Sequence, residues 1–221
     1  MIFSGYIFDI EGTLVDCVPQ TLRSLYDTLK EWGVSVPHET LQLYSGLDGQ
    51  ETLKIIAPSL SDHERNRLLE ADGKHYEQNY LPSVRAFDGV RDVFSAIKAG
   101  GGQIAIATDC KGSPLKFYRS LLGIDDLIDQ LACGEDVDKG KPDPGLVRLA
   151  FEKLGLPAGR CIMIGDTPYD CKAAAAAGVA SLGLLSGGFG SAELLGAGAL
   201  DVLAQVAELK QLFAGSESAA Q

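Results

Sequence analysis

The chain has 221 residues, 46% of them hydrophobic and 22% charged, the balance of a folded protein holding one large domain or a domain plus an insert. Its 30 acidic and 19 basic residues give a net charge of −11, which repels nucleic-acid phosphates and anionic membranes, so neither is expected as a partner. The five cysteines (Cys17, Cys110, Cys133, Cys161, Cys171) form no C-x-x-C pair, and no apolar run nears the ~20 residues of a membrane span. Met1-Ile2-Phe3 opens the chain without a basic region or cleavage site, so no signal peptide is expected and the cytoplasm is the expected location.

In chain order, Ile2 to Phe8 reads as a strand, apolar on both faces. Pro19 to Leu81 breaks the pattern with helical spacing and no good strand. Leu22, Leu25, Tyr26, Leu29 and Trp32 mark one helix closed by Gly33. Ser61-x-x-Glu64 predicts a capping box that opens a longer helix through Leu68, Leu69, Tyr76 and Tyr80, stopped before Pro82. Alternation then resumes. Asp88 is the expected N-cap of a helix with the stripe Val90, Val93, Phe94 and Ile97, followed by a strand over Gln103 to Ala107. Leu115, Tyr118, Leu121 and Leu122 predict a helix ended by Gly123, and Leu146, Leu149, Ala150 and Leu154 one ended by Gly155. Arg160 to Ile164 and Ala180 to Leu185 are further strands.

Such alternation predicts an α/β fold, a doubly wound, Rossmann-like parallel sheet, with an α-helical cap inserted after the first strand. The expected division is a core of residues 1–16 and 85–213, a cap of residues 17–84, and a frayed tail of residues 214–221.

Ligands of open α/β sheets bind beyond the carboxyl ends of the strands. Three of these ends are polar: Asp9-Ile10-Glu11-Gly12-Thr13, Thr108-Asp109, and Gly165-Asp166-Thr167-Pro168-Tyr169-Asp170. Each has a purely structural alternative. Asp9 can terminate a strand, Gly12-Thr13 can form a turn, and Thr167 with Asp170 can form a capping box around Pro168.

Taken together and in order, these segments resemble the haloacid dehalogenase superfamily, in its phosphatase branch with a helical cap. Asp9-x-Glu11-Gly12-Thr13-Leu14-Val15-Asp16 is similar to its first motif and Thr108 to its hydroxyl motif. Gly140-Lys141-Pro142-Asp143-Pro144 matches its lysine motif, and Gly165-Asp166-Thr167-x-x-Asp170 its acidic motif. The resemblance implies a phosphatase of small phosphorylated metabolites in which Asp9 is the nucleophile and forms an aspartyl-phosphate. It implies that Asp9, Asp166 and Asp170, with the backbone carbonyl of Glu11, hold Mg²⁺. Lys141 would neutralise phosphoryl oxygens, and Thr108 with the N–H groups of Asp109, Glu11 and Gly12 would hydrogen-bond them. Lys139 is the competing lysine, but the helix start after Lys141 favours Lys141. Monomer and dimer stay open.

Position 11 departs from the pattern. Glu stands where the family usually has the Asp that protonates the leaving group and then activates water; Glu can serve as that acid and base, but one methylene longer it must fold back or meet a differently placed oxygen. Asp-Ile-Glu-Gly-Thr also resembles the enolase-phosphatase branch, whereas the rest of the chain resembles phosphoglycolate-phosphatase-like members. Asp109 adds a carboxylate that repels phosphate unless it points away or caps the following helix. Cys110 reads as a packed thiol before a reactive one. Leu47-Asp48-Gly49-Gln50 is either a loop facing the site or a helix start. His38, His63 and His75 lack metal-ligand spacing and read as surface or interface residues. Alternatives are a phosphoryl mutase, a phosphonate hydrolase using Lys54 as a Schiff base, or a weakly catalytic phosphometabolite-binding protein.

Overall fold

A computed structural model describes residues 3–214. The first strand, β1 (Gly5–Phe8), is buried at all four positions. Tyr6 and Phe8 join one apolar cluster and Ile7 another, so the strand is covered on both faces. A two-residue strand β2 (Val15–Asp16) follows. Helices α1 (Val18–Glu31), α2 (His38–Gln42), α3 (Gly49–Ile56) and α4 (Asp62–Asn79) then intervene before β3 (Arg85–Ala86). Beyond it run α5 (Val90–Ala99), β4 (Gln103–Ala107), α6 (Gly112–Leu122), β5 (Gln130–Ala132), α7 (Gly145–Leu154), β6 (Cys161–Gly165) and α8 (Pro168–Ala176). The chain closes with β7 (Ala180–Leu184), α9 (Ser191–Gly196), β8 (Asp201–Leu203) and α10 (Leu209–Ala214).

Among the described residues, six strands form one parallel sheet in the order β5-β4-β1-β6-β7-β8. The chain leaves β1 to build one side and returns to build the other, so β1 sits at the switch point where a crevice opens. Register fixes what meets there. Phe8 pairs with Ile106 on one side and Ile164 on the other, and Asp9 donates its N–H to Ile164 O at 3.0 Å. Asp9, Thr108 and Asp166 therefore emerge together at one sheet edge. Helices α5 and α6 cover one face through Val93, Phe94, Ile97 and Tyr118; α7 and α8 cover the other through Leu146, Val147, Ala150, Ala173 and Ala174.

The helical insert encloses a cluster of its own, with Val18, Leu22, Leu29, Leu41, Leu53 and Leu68 buried. A polar pin joins α1 to α4, where Asp72 Oδ1 accepts from Ser24 Oγ at 2.6 Å and Thr28 Oγ1 at 3.4 Å. The insert joins the sheet through β2 and β3, which pair antiparallel as Val15–Ala86 and Asp16–Arg85. The far end of α4 and the turn after it pack differently: Tyr76 and Leu81 belong to the cluster over the main sheet.

Most element expectations correspond to observed elements, with small differences at their ends. Gly123 and Gly155 close α6 and α7 in the left-handed conformation, and Ser61 forms its capping box with Glu64. Asp88 does not cap α5. Gly89, at φ +79°, is the N-cap, and no side chain bonds the first turn. The short strands β2, β3, β5 and β8 lack a periodic pattern, being two or three residues long. Of the expected tail, Ala214 ends α10 and residues 215–221 lie outside the described residues.

Candidate active site

Asp9 follows β1 directly and is buried, with Oδ1 2.8 Å from Lys141 Nζ. Lys141 reaches it from the loop between β5 and α7, immediately before a cis Lys141–Pro142 bond. The lysine is only 3% exposed and also contacts Asp170 Oδ1 at 2.6 Å and Ala107 O at 3.3 Å. Burial opposes its charge, but Asp170, Asp9 and Asp109 outweigh burial and hold the ammonium well above its ordinary range. Lys139 is exposed.

Asp166 follows β6 and is fully buried. Its Oδ1 accepts from Thr13 Oγ1 at 2.6 Å, whereas Oδ2 is buried with no hydrogen-bond partner. Two glycines make room around that oxygen. A Cβ on Gly12, itself at φ +79°, would fall 2.2 Å from Asp166 Oδ2, and one on Gly187 would fall 2.1 Å away. Asp170, in the first turn of α8, directs Oδ2 to Thr167 N at 3.0 Å and Thr167 Oγ1 at 2.7 Å, closing a capping box. Oδ1 is left for Lys141. The capping role and the site role therefore use different oxygens of one carboxylate.

Ligand atoms of Asp9, Asp166 and Asp170 lie within 4.8 Å of one another. Crowding of this kind is costly for anions out of water. Burial, then the neighbouring charges of Asp170 and Asp9, push Asp166 well above the carboxylate range. Burial raises Asp9 to about 7 despite Lys141. A single lysine does not neutralise three carboxylates, and the unpartnered Asp166 oxygen faces the space kept open by Gly12 and Gly187. That donor set, all hard oxygen, fits a small divalent cation such as Mg²⁺.

Thr108 is fully buried, its Oγ1 accepting the Cys110 N–H at 3.2 Å. Asp109 turns its carboxylate to the Lys141 N–H, at 3.2 and 3.3 Å, and so braces the lysine loop. The N-cap of α6 is Lys111, with no side-chain bond, so Asp109 does not cap that helix. The Glu11 carboxyl is not one of the clustered aspartate groups but meets Tyr118, whose hydroxyl donates to Oε1 at 3.4 Å. Burial and the charge of Asp109 raise the Glu11 carboxyl, opposed by Lys141 and by hydrogen bonds from Tyr118 and Cys110. The Cys110 thiol is itself pushed up by burial and by Glu11, which favours its protonated form.

A cavity of about 640 Å³ separates this edge from the helical insert. Asp9, Glu11, Asp109, Lys141, Asp166 and Asp170 line its floor. Its roof includes Thr21, Leu47, Asp48, Gln50 and Glu70. The Leu47–Gln50 segment fulfils both of its readings: Asp48 caps α3 through Gln50 N and Glu51 N, and the loop faces the cavity. Lys54 is exposed, ion-paired with Glu51 at 2.6 Å, and outside the cavity lining. His38 lies edge-on to Tyr26 and His75 stacks on Tyr80, both away from the site. Sequence reasoning missed the roles of Thr13, Gly187 and Tyr118. Thr13 lay within a motif already singled out. The other two gave no local signal.

A buried cluster of three aspartates, one of them paired with a lysine, at the switch point of a doubly wound sheet, is an arrangement suited to phosphoryl transfer. Residues 6–184 match the family model described as haloacid dehalogenase-like hydrolase, and the chain belongs to that family. It is 29% identical over 189 residues to a phosphoglycolate phosphatase of Colwellia psychrerythraea, covering 82% of this chain and 84% of that protein. Among solved structures it resembles a hydrolase from Pseudomonas syringae, with TM-score 0.88, 29% identity, and coverage of 95% of this chain and 97% of the other. A β-phosphoglucomutase from Clostridium difficile shares the fold at TM-score 0.82 and 20% identity, over 99% of this chain and all (100%) of that one.

Proposed function

We propose that the protein is a Mg²⁺-dependent phosphatase of small phosphorylated metabolites that works through an aspartyl-phosphate on Asp9. The observation that carries this reading is the Asp9–Lys141 contact of 2.8 Å beside the unpartnered oxygen of Asp166. Asp9, Asp166, Asp170 and the Glu11 carbonyl would hold the cation, which supplies positive charge between a carboxylate nucleophile and a dianionic phosphate.

The chain's own residues perform the rest. Lys141 directs Asp9 and neutralises phosphoryl oxygens, assisted by the Thr108 hydroxyl and by the N–H groups of Asp109, Glu11 and Gly12. An Asp9 oxygen attacks phosphorus as the ester P–O bond breaks, and the leaving oxygen takes a proton from Glu11. Water then attacks phosphorus with Glu11 accepting its proton, the Asp9–phosphate bond breaks, and inorganic phosphate departs. Asp109, committed to the Lys141 loop, acts from behind the phosphoryl centre.

The test is a phosphatase screen over a phosphometabolite panel, with Mg²⁺ and with chelator. Turnover should require Mg²⁺, and Asp9→Asn should abolish it while the protein still melts in a single cooperative transition. Sustained activity in Asp9→Asn, with deamidation excluded by mass, would overturn the covalent route.

A further inference from the structure

We infer that Tyr118 is a positioning residue for Glu11, and that Tyr76 of the helical insert braces Tyr118 in turn. This rests on the acid–base reading of Glu11 proposed above.

The geometry has three parts. Tyr118, on α6, is fully buried, and its hydroxyl donates to Glu11 Oε1 at 3.4 Å. Tyr76, at the end of α4, is 6% exposed, and its hydroxyl hydrogen-bonds that of Tyr118. Glu11 lines the cavity, whereas neither tyrosine does. Glu11 Oε1 accepts the Tyr118 proton whether or not the other carboxyl oxygen is protonated, which leaves the Tyr118 oxygen to accept from Tyr76. The donors then run one way, from Tyr76 to Tyr118 to Glu11. Burial raises both phenols, so both remain donors at neutral pH.

Packing alone does not account for these hydroxyls. Phenylalanine at 76 and 118 would fill nearly the same volume without burying two polar groups. The strut also bears on the unusual residue at position 11. Glutamate is flexible, and its extra methylene adds a rotatable bond that an aspartate would lack. Holding Oε1 fixes that arm, so that the carboxyl is presented to the leaving group in one orientation. An aspartate would fall one carbon–carbon bond short of Tyr118. Because Tyr76 belongs to the insert helix yet packs in the main core, the strut also spans the junction of the two parts.

The experiment measures single-turnover phosphorylation with Mg²⁺ on glycerol phosphate, whose alkoxide needs a proton, and on p-nitrophenyl phosphate, whose phenolate does not. The variants are Glu11→Gln, Tyr118→Phe, Tyr76→Phe, and Glu11→Gln combined with Tyr118→Phe. Misplacement of a catalytic group by about 1 Å costs up to roughly 10²-fold. Tyr118→Phe should therefore lose roughly 10- to 100-fold on glycerol phosphate through kcat, with KM and the p-nitrophenyl rate little changed. Tyr76→Phe should show the same selectivity with a smaller loss, which keeps the test available if Tyr118→Phe does not fold. The double variant should be no slower than Glu11→Gln.

Equal losses on both substrates in Tyr118→Phe, or a full further loss in the double variant, would overturn the inference. If Glu11→Gln is selective and both tyrosine variants behave as wild type, the inference fails alone. If Glu11→Gln itself shows no selectivity, the acid–base reading fails and takes the inference with it.

Discussion

Asp9, Asp166 and Asp170 share one water-poor pocket with a single lysine, and such a group trades stability for function. Burial raises the folded-state pKa of Asp9 to about 7 in the metal-free protein, and burial with the charges of Asp170 and Asp9 also raises Asp166 well above the carboxylate range. The sign of the pH effect follows. Below about pH 4 Asp9 and Asp166 are protonated in both states and cost nothing. As pH rises the unfolded chain ionises first, so the metal-free protein loses stability between about pH 4 and pH 7. Melting curves in chelator should fall across that window and recover on adding Mg²⁺, with more recovery at pH 7 than at pH 5. Asp166→Asn should raise the metal-free melting temperature near neutral pH and remove the Mg²⁺ response. A metal-free protein equally stable at pH 5 and pH 7 would contradict the crowding of these acids.

At the scale of elements, the insert is held over the site by few contacts. Gln42 Nε2 donates to Gly187 O at 2.9 Å, and Tyr169 OH to Leu43 O at 3.0 Å. Gly46, at φ +78°, lies where a Cβ would be 2.6 Å from Thr167 Cγ2. Thr167 has little freedom to yield, because its hydroxyl is committed to the Asp170 capping box. Gly46→Ala should therefore displace the loop at a cost of about 1–3 kcal/mol for the left-handed backbone alone. KM should rise several-fold with a smaller change in kcat. Adding Thr167→Ser, which deletes Cγ2 and keeps the cap, should recover part of the loss. A Gly46→Ala enzyme with unchanged KM would mean that this contact does not govern access to the cavity.

Seen as a whole molecule, the cavity sharpens the acidity of the chain. Seven carboxylates line it (Asp9, Glu11, Asp48, Glu70, Asp109, Asp166, Asp170) against two lysines, Lys111 and Lys141. Lys141 is held at the phosphoryl centre, and Lys111 is exposed to screening by solvent. The roof facing the leaving group carries Asp48 and Glu70 beside Gln50, Asn66 and Thr21, groups that suit hydroxyls better than a second anion. In kcat/KM, glycerol phosphate should exceed phosphoglycolate by roughly tenfold, equivalent to about 1.4 kcal/mol. Glu70→Lys should narrow that gap through KM. A preference for phosphoglycolate unaffected by Glu70→Lys would show that the roof charges do not select the substrate.

The chain's periodicities determined its layers by themselves. Strands apolar on both faces, such as Ile104 to Ala107, require helices on both sides, and the run from Pro19 to Leu81 has helical spacing alone. Polar strand ends offered Asp9, Thr108 and Asp166 with structural alternatives beside them, and only the resemblance of four ordered motifs singled out the set together with Lys141. Contacts between distant segments were decided only by the tertiary structure. Asp109 could have capped a helix or repelled phosphate; the loop bearing Lys141 gave its carboxylate a third use. Gly187 is unremarkable until the return from β7 brings it against Asp166. Tyr118 reads as one more apolar position in a stripe, because periodicity marks which face is buried and not what a buried hydroxyl meets. Glu11 is 107 residues from Tyr118 along the chain. No local pattern reports a pairing of that range, since it exists only once β1, α6 and the end of α4 have packed together.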